Sequence, residues 1–381
     1  MLVGILVFVA GIFLMIFVHE LGHYLAAKRY GIKVDEFFLG FGPRIWSFRR
    51  GETEYGLKGI PLGGYVRIAG MNPLEEIAPE DRDRVFSAKP KRQRAVVLVA
   101  GALTHFVLAF LLLLSYAWFI GVPIFGGAQV ARVEPTLDGR PSPAAVAGLQ
   151  AGDRFLEFDG QPVRGYEEFL DYIASHVDRE IALVVERDGE RITTRATPVL
   201  AEVDGEPTGR LGIAVTRAVV GRDRMGPIEG VKAAAVGRGP FPGVTDFAVG
   251  SFQAMGRVFG PEGIGRVGEA LFGDRDRGLN DPVGIVGAAR VSGQAVESGQ
   301  LEAFIFLFAF FNVFVGILNL LPLPPLDGGH LAVLGLEAAT GRRIDPRRLI
   351  PISAVVAGFL ILFTVSLLYL DIVEPIPNPF P

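Results

Sequence analysis

Four long apolar runs divide this chain into stretches of very different polarity. They cover about residues 2–27, 95–122, 301–321 and 349–370. At 1.5 Å per residue, each is long enough for a helix to cross a hydrocarbon layer of about 30 Å. Residues 28–94 form a basic, Gly-rich loop. Within it, residues 53–69 read as short strands broken by Gly56, Gly59, Gly63 and Gly64, and Gly40 and Gly42 offer the same backbone freedom upstream. Residues 72–84 are polar and acidic and read as a surface loop. The pattern changes again over residues 126–220. Residues 128–133 alternate, 153–158 form a strand before Asp159-Gly160, and strands at 181–187 and 191–198 flank the hairpin signal Asp188-Gly189. Helices are predicted at 142–149 and 166–176, with Phe169, Ile173 and Val177 on one side of the second. Residues 221–300 are Gly- and Ala-rich. Amphipathic helices are predicted there at 230–236, 244–259 and 283–296, suited to a membrane–water interface. The tail from Asp371 is short and proline-rich.

Composition sharpens this picture. Half of the 381 residues are hydrophobic and a fifth are charged, as in an integral membrane protein. A net charge of −4 leaves no overall basic footprint for nucleic acid. The absence of cysteine excludes thiol catalysis, disulfides and Cys-based zinc sites. Lys28, Arg29, Lys33, Arg92 and Arg94 flank the first two runs, and Arg342, Arg343, Arg347 and Arg348 precede the fourth. The positive-inside rule then makes the loops at 28–94 and 328–348 cytoplasmic, and puts residues 123–300 and both termini on the outside.

The chemistry sits where the first run ends, at His19-Glu20-Leu21-Gly22-His23. Histidines four apart on a helix point the same way. H-E-x-x-H is a zinc hydrolase signature, supplying two nitrogen ligands and a general base. Ionisable groups inside an apolar span are expensive and therefore functional by default. A signal peptide does not account for the run, because its start carries no charged side chain and it flows directly into the motif. Three further histidines exist. His105 is the polar outlier of the second run, placed to line a cavity or to bond to a backbone carbonyl; His176 reads as a surface helix residue; His330 follows the third run. That run ends in Asn319-Leu320-Leu321-Pro322-Leu323-Pro324-Pro325-Leu326-Asp327-Gly328. The prolines break the helix, and irregular backbone at membrane depth is tolerated only inside protein or beside water. Asp327 is then either a carboxylate presented to that cavity or the cap of the next helix.

Two resemblances build on these residues. Gly148-Leu149-Gln150-Ala151-Gly152-Asp153-Arg154-Phe155, followed by Asp159-Gly160-Gln161-Pro162-Val163, resembles the PDZ domains of bacterial envelope proteases. The two membrane motifs, with this insert between them, resemble the site-2 protease family of intramembrane metalloproteases, of the regulator-of-sigma-E type. The resemblance implies a multi-pass α-helical membrane protein of about four transmembrane helices. It would carry a membrane-associated β-loop and one inserted α+β PDZ-like domain. The halves would be residues 1–122 and 301–381, with the PDZ-like domain at 126–220 and a linker at 221–300. It implies Zn2+ held by His19, His23 and Asp327, with Glu20 as catalytic base. It implies substrate contacts at Asn319 and at Gly63 and Gly64 of the β-loop. Family members often carry Gly-Pro-x-x-Asn in the second span. Here the sequence is Gly101-Ala102-Leu103-Thr104-His105, so His105 takes the asparagine's place among the substrate-binding candidates.

The expected function is cleavage of the membrane spans of single-span proteins, such as an anti-sigma factor or remnant signal peptides, in the cytoplasmic (inner) membrane. The PDZ-like domain would bind peptide and filter substrates, and the bilayer is the other partner. The alternative is a proteolytically inactive membrane PDZ scaffold. A zinc transporter fits less well, since Asp327 is the one clear intramembrane carboxylate besides the motif.

Overall fold

The computed structural model describes residues 2–72, 75–203, 206–273, 275–342 and 344–380; Arg343 and Pro381 lie outside them. The chain divides into two compact units, Met1–Ala117 with Gly226–Phe380, and Trp118–Met225.

The first unit begins with α1 (Leu2–Arg29). Then come β1 (Val34–Arg50) and β2 (Thr53–Ile68), joined through Gly51 at a φ of +65°. The expected short strands are only half of this element, because β1 pairs with β2 twice. Residues Phe37, Phe38 and Leu39 bond on one side to Val66, Tyr65 and Gly64, and on the other to Tyr55, Gly56 and Leu57. The second group is shared with Trp46, Ser47 and Phe48. Bends near Gly40, at a φ of +86°, and near Gly59 fold two long strands into four segments. The order is 64–67, 36–39, 54–57, 46–49, with 64–67 at an outer edge. α2 (Lys91–Ser115) follows and continues as a π turn to Ile120.

The second unit contains β3 (Val122–Val133), the two-residue strands β4 (Thr136–Leu137) and β5 (Arg140–Pro141), α3 (Pro143–Val146), β6 (Arg154–Phe158), β7 (Gln161–Pro162), α4 (Tyr166–Ser175), β8 (Ile181–Arg187), β9 (Glu190–Ala196), β10 (Val199–Val203), β11 (Glu206–Arg210) and β12 (Ile213–Asp223). The main sheet runs β12-β3-β6-β8-β9, with β7 on β6. One face buries Phe155, Phe158, Ile181, Leu183 and Val185 against Phe169 and Ile173 of α4. The hairpin β10–β11 and the edge strand β12 add to the strands read from the alternation. Their Gly- and Thr-containing sequence carries little periodicity.

The first unit resumes with α5 (Pro227–Val236), α6 (Val244–Phe259), α7 (Pro261–Phe272) and α8 (Ile285–Glu297). α7 was not expected: Pro261 occupies its first turn, where the missing N–H is no loss. Then come α9 (Leu301–Asn319), α10 (Asp327–Thr340) and α11 (Ile350–Val373). Among the described residues, four helices are long and apolar enough to cross a membrane: α1, α2 with its π extension, α9, and α11 with the turn before it. Small residues let them approach closely. Gly22 of α1 lies on Ala100 and Thr104 of α2, Gly4 on Gly293 of α8, and Gly316 of α9 on His105 of α2.

Candidate metal centre

α1 carries His19, Glu20 and His23, and the break after α9 turns the start of α10 toward them. Asp327 is the first residue of α10; Leu326 occupies the cap position, with no side-chain cap bond. The carboxylate instead faces the histidines. Asp327 Oδ2 lies 3.2 Å from His23 Nε2 and 3.5 Å from His19 Nε2, and the two Nε2 atoms are 3.2 Å apart. Among the described residues, no other group of three His, Cys, Asp or Glu side chains converges in this way.

Proton placement explains what such a triangle is for. His23 Nδ1 lies 2.8 Å from the Val97 carbonyl, which can only accept, so Nδ1 carries the proton and Nε2 presents a lone pair. Asp327 Oδ2 is buried and receives no hydrogen bond of normal geometry. In the neutral ring the His23 Nε2 lone pair therefore faces the Asp327 carboxylate, an arrangement that a cation relieves. Zinc bonds of about 2.0–2.1 Å, arranged tetrahedrally, place ligand atoms about 3.3 Å apart, and the three separations match. The donor set of two imidazoles and one carboxylate also leaves a fourth position open, as catalytic zinc sites do.

The close fit depends on a residue with no side chain. Gly101 of α2 lies directly under the His23 ring, where a Cβ would overlap the imidazole. Glu20 packs against β2: a Cβ on Gly64 would lie 3.3 Å from Glu20 Cγ, and Glu20 also adjoins the Val66 backbone. Gly63, at a φ of +126°, holds Phe41 where its side chain would be. Asn319 is half-buried at the end of α9, on the other side of the proline break from Asp327. His105 is buried, with Nε2 3.1 Å from His19 Nδ1. His176 ends α4 in the second unit, its Nδ1 bonded to the Tyr172 carbonyl.

Some participants were not singled out from the sequence. His330, one turn beyond Asp327, lines a cavity of about 600 Å³ with residues 65–68 of β2, Met71, Asn72 and Glu75. Asn312 of α9 is fully buried beside His105. A lone Asn in an apolar run is a visible signal. The role of Gly101 becomes visible only once α1 and α2 are packed.

The model of "Peptidase family M50" matches residues 7–364. The zinc metalloprotease Rip1 of Mycobacterium tuberculosis is 33% identical over 409 residues, covering 98% of each chain. Rip1 of Mycolicibacterium smegmatis is 32% identical over 412 residues, again covering 98% of each. Among solved structures, the PDZ domain of an SdrC-like protein of Listeria monocytogenes matches 24% of this chain and 90% of its own, at 27% identity and a TM-score of 0.20.

Proposed function

The chain belongs to peptidase family M50, the site-2 proteases, and is a zinc metalloprotease of the membrane; on that premise we propose that His19, His23 and Asp327 hold the zinc and that Glu20 is the catalytic base. The observation that carries this reading is the triangle of acceptor atoms at 3.2, 3.2 and 3.5 Å. Bound zinc supplies Lewis acidity toward water and the scissile carbonyl. The Glu20 carboxylate takes a proton from the attacking water and delivers one to the leaving amine nitrogen. Asn319 stands ready to bond the substrate backbone.

The substrate is a membrane span that must first lose its helical hydrogen bonds. The outer edge at residues 64–67, bordering the cavity below His330, offers an open strand to pair with the unwound segment. Gly63 and Gly64 keep that edge close to Glu20 and free of side-chain bulk. The PDZ-like unit filters substrates from outside the cell, and the basic loops at 28–94 and 328–348 face the cytoplasm.

The test uses purified protein and a pre-shortened single-span model substrate. Native protein should cleave it, and Glu20→Gln should hold zinc normally yet cleave at least about 100-fold more slowly. In cells, truncated single-span proteins should accumulate with the Glu20→Gln form. A native, zinc-loaded protein that leaves such spans intact would turn the reading to a scaffold.

A further inference from the structure

The two histidines of the H-E-x-x-H motif differ in what stands behind them. His23 Nδ1 meets the backbone carbonyl of Val97 at 2.8 Å, a partner that comes with the helix whatever the side chain. His19 Nδ1 meets another side chain, His105 Nε2, at 3.1 Å. His105 is only 2% exposed, and Gly316 of α9 packs on its Cβ. Its other nitrogen, Nδ1, has no hydrogen bond of normal geometry, nor has Oδ1 of the adjoining, fully buried Asn312. The Asn312 amide is already committed, donating from Nδ2 to the Phe308 carbonyl at 2.8 Å, which leaves Oδ1 as the acceptor turned toward His105.

We propose that His105 is a positioning residue for zinc: its Nε2 accepts the His19 Nδ1 proton and so fixes His19 in the tautomer that offers Nε2 to the metal. The assignment rests on the ligand set proposed above, and follows from counting protons. His19 Nε2 points at Asp327 and His23 and must carry a lone pair to serve as a ligand, so the ring's proton resides on Nδ1. The Gly101 carbonyl also adjoins the His19 ring, and the side chain that faces the Nδ1 proton at hydrogen-bond distance is His105, whose Nε2 must then accept. The His105 proton therefore sits on Nδ1, with Asn312 as the adjoining acceptor. The chain Asn312–His105–His19 orients the ligand as a carboxylate or carbonyl does behind other metal-bound histidines. His105 thus stands behind the metal centre and contacts the substrate only through what it holds in place. The requirement is for an acceptor at the reach of His105 Nε2, which a glutamine at the same position also supplies.

The experiment measures zinc affinity by chelator competition in the full-length protein. His105→Leu removes the acceptor and should weaken zinc about 10- to 100-fold. His105→Gln should retain affinity close to native, and Co2+ loaded in place of zinc should keep the native visible spectrum in the Gln variant and lose it in the Leu variant. His23→Ala is the control for the ligand set. If it leaves zinc affinity unchanged, the ligand assignment fails. If it abolishes binding while His105→Leu binds as native does, the positioning role alone fails. Should the Leu variant not fold, the native zinc-loaded protein still decides. Its ¹⁵N spectrum, with His105 assigned by its disappearance in His105→Gln, must show Nε2 unprotonated and Nδ1 protonated. A proton on His105 Nε2 overturns the proposal.

Discussion

In the first unit, the ionisable side chains around Asp371 and those around Asp327 are built on opposite principles. Around Asp371, every group has its complement. Arg277 donates to Asp371 Oδ1 at 3.3 and 3.4 Å, to the Pro282 carbonyl at 2.6 Å and to the Glu374 carbonyl at 3.0 Å. The Gly287 N–H takes Oδ2 at 2.7 Å. This pair clamps the end of α11 to the start of α8 and has nothing left to offer a ligand. Around Asp327, two imidazole nitrogens and a carboxylate oxygen converge to within 3.2–3.5 Å of one another, and the carboxylate oxygen receives no hydrogen bond of normal geometry. The first cluster is neutral within itself. On the ligand set proposed above, the second is completed by a cation, and incompleteness of that kind, more than the presence of charge, distinguishes a site from a clamp.

Substitutions can break this contrast, beginning with the largest effect. Asp327→Ala removes a proposed ligand and should abolish both cleavage and tight zinc binding. The loss should exceed the roughly 10- to 100-fold typical of outer partners, while the fold in detergent, followed by thermal unfolding, stays near native. Chelation of the native protein should do the same reversibly. Asp371→Asn should do the reverse. It leaves Arg277 buried against a neutral partner and should cost about 3–5 kcal/mol of stability, with zinc affinity of the folded fraction unchanged. Replacing the pair together, Arg277→Met with Asp371→Leu, should recover most of that loss, since a packed apolar pair substitutes well for a satisfied ion pair. No paired apolar replacement of His23 and Asp327 should restore zinc binding.

Gly101→Ala probes the space under His23. Overpacking of this kind costs about 1–3 kcal/mol, roughly 5- to 150-fold if taken from zinc affinity, and a metal titration should find the loss there. The smallest effect belongs to an exposed network. Glu52, between β1 and β2, meets Lys28 at 2.5 Å and Arg84 at 2.7 Å. Partial burial raises its pKa, but the two cations outweigh that and hold the carboxyl below its ordinary value. A carboxylate lowered on folding stabilises at neutral pH, and that contribution is lost as pH falls below the ordinary glutamate range. Glu52→Gln should cost less than about 1 kcal/mol at neutral pH, with the difference from native vanishing in acid, as read from unfolding curves at several pH values.

Much of the site was readable as one-dimensional pattern because it lies on helices. Four-residue spacing brings His19 and His23 to one face, and apolar length marks the spans, whatever the rest of the chain does. Asp327 was ambiguous in the sequence for a physical reason. A helix-starting aspartate caps or projects according to where the preceding residue sits, and Leu326 takes the cap position here. The β-loop was only half visible: bends at Gly40 and Gly59 let one segment pair on both sides, and pairing of that kind leaves no periodic trace.

The sequence by itself determined the four apolar spans, a helix that puts His19 and His23 on one face, and a carboxylate just past the proline break of the third span, since these follow from hydropathy, helical period and residue order alone. Only the tertiary structure decided that His105 stands behind His19, that Gly101 makes room for His23, and that the edge at 64–67 borders the cavity. Each of these depends on contacts between segments distant in sequence, and such contacts are set by packing rather than by any local pattern.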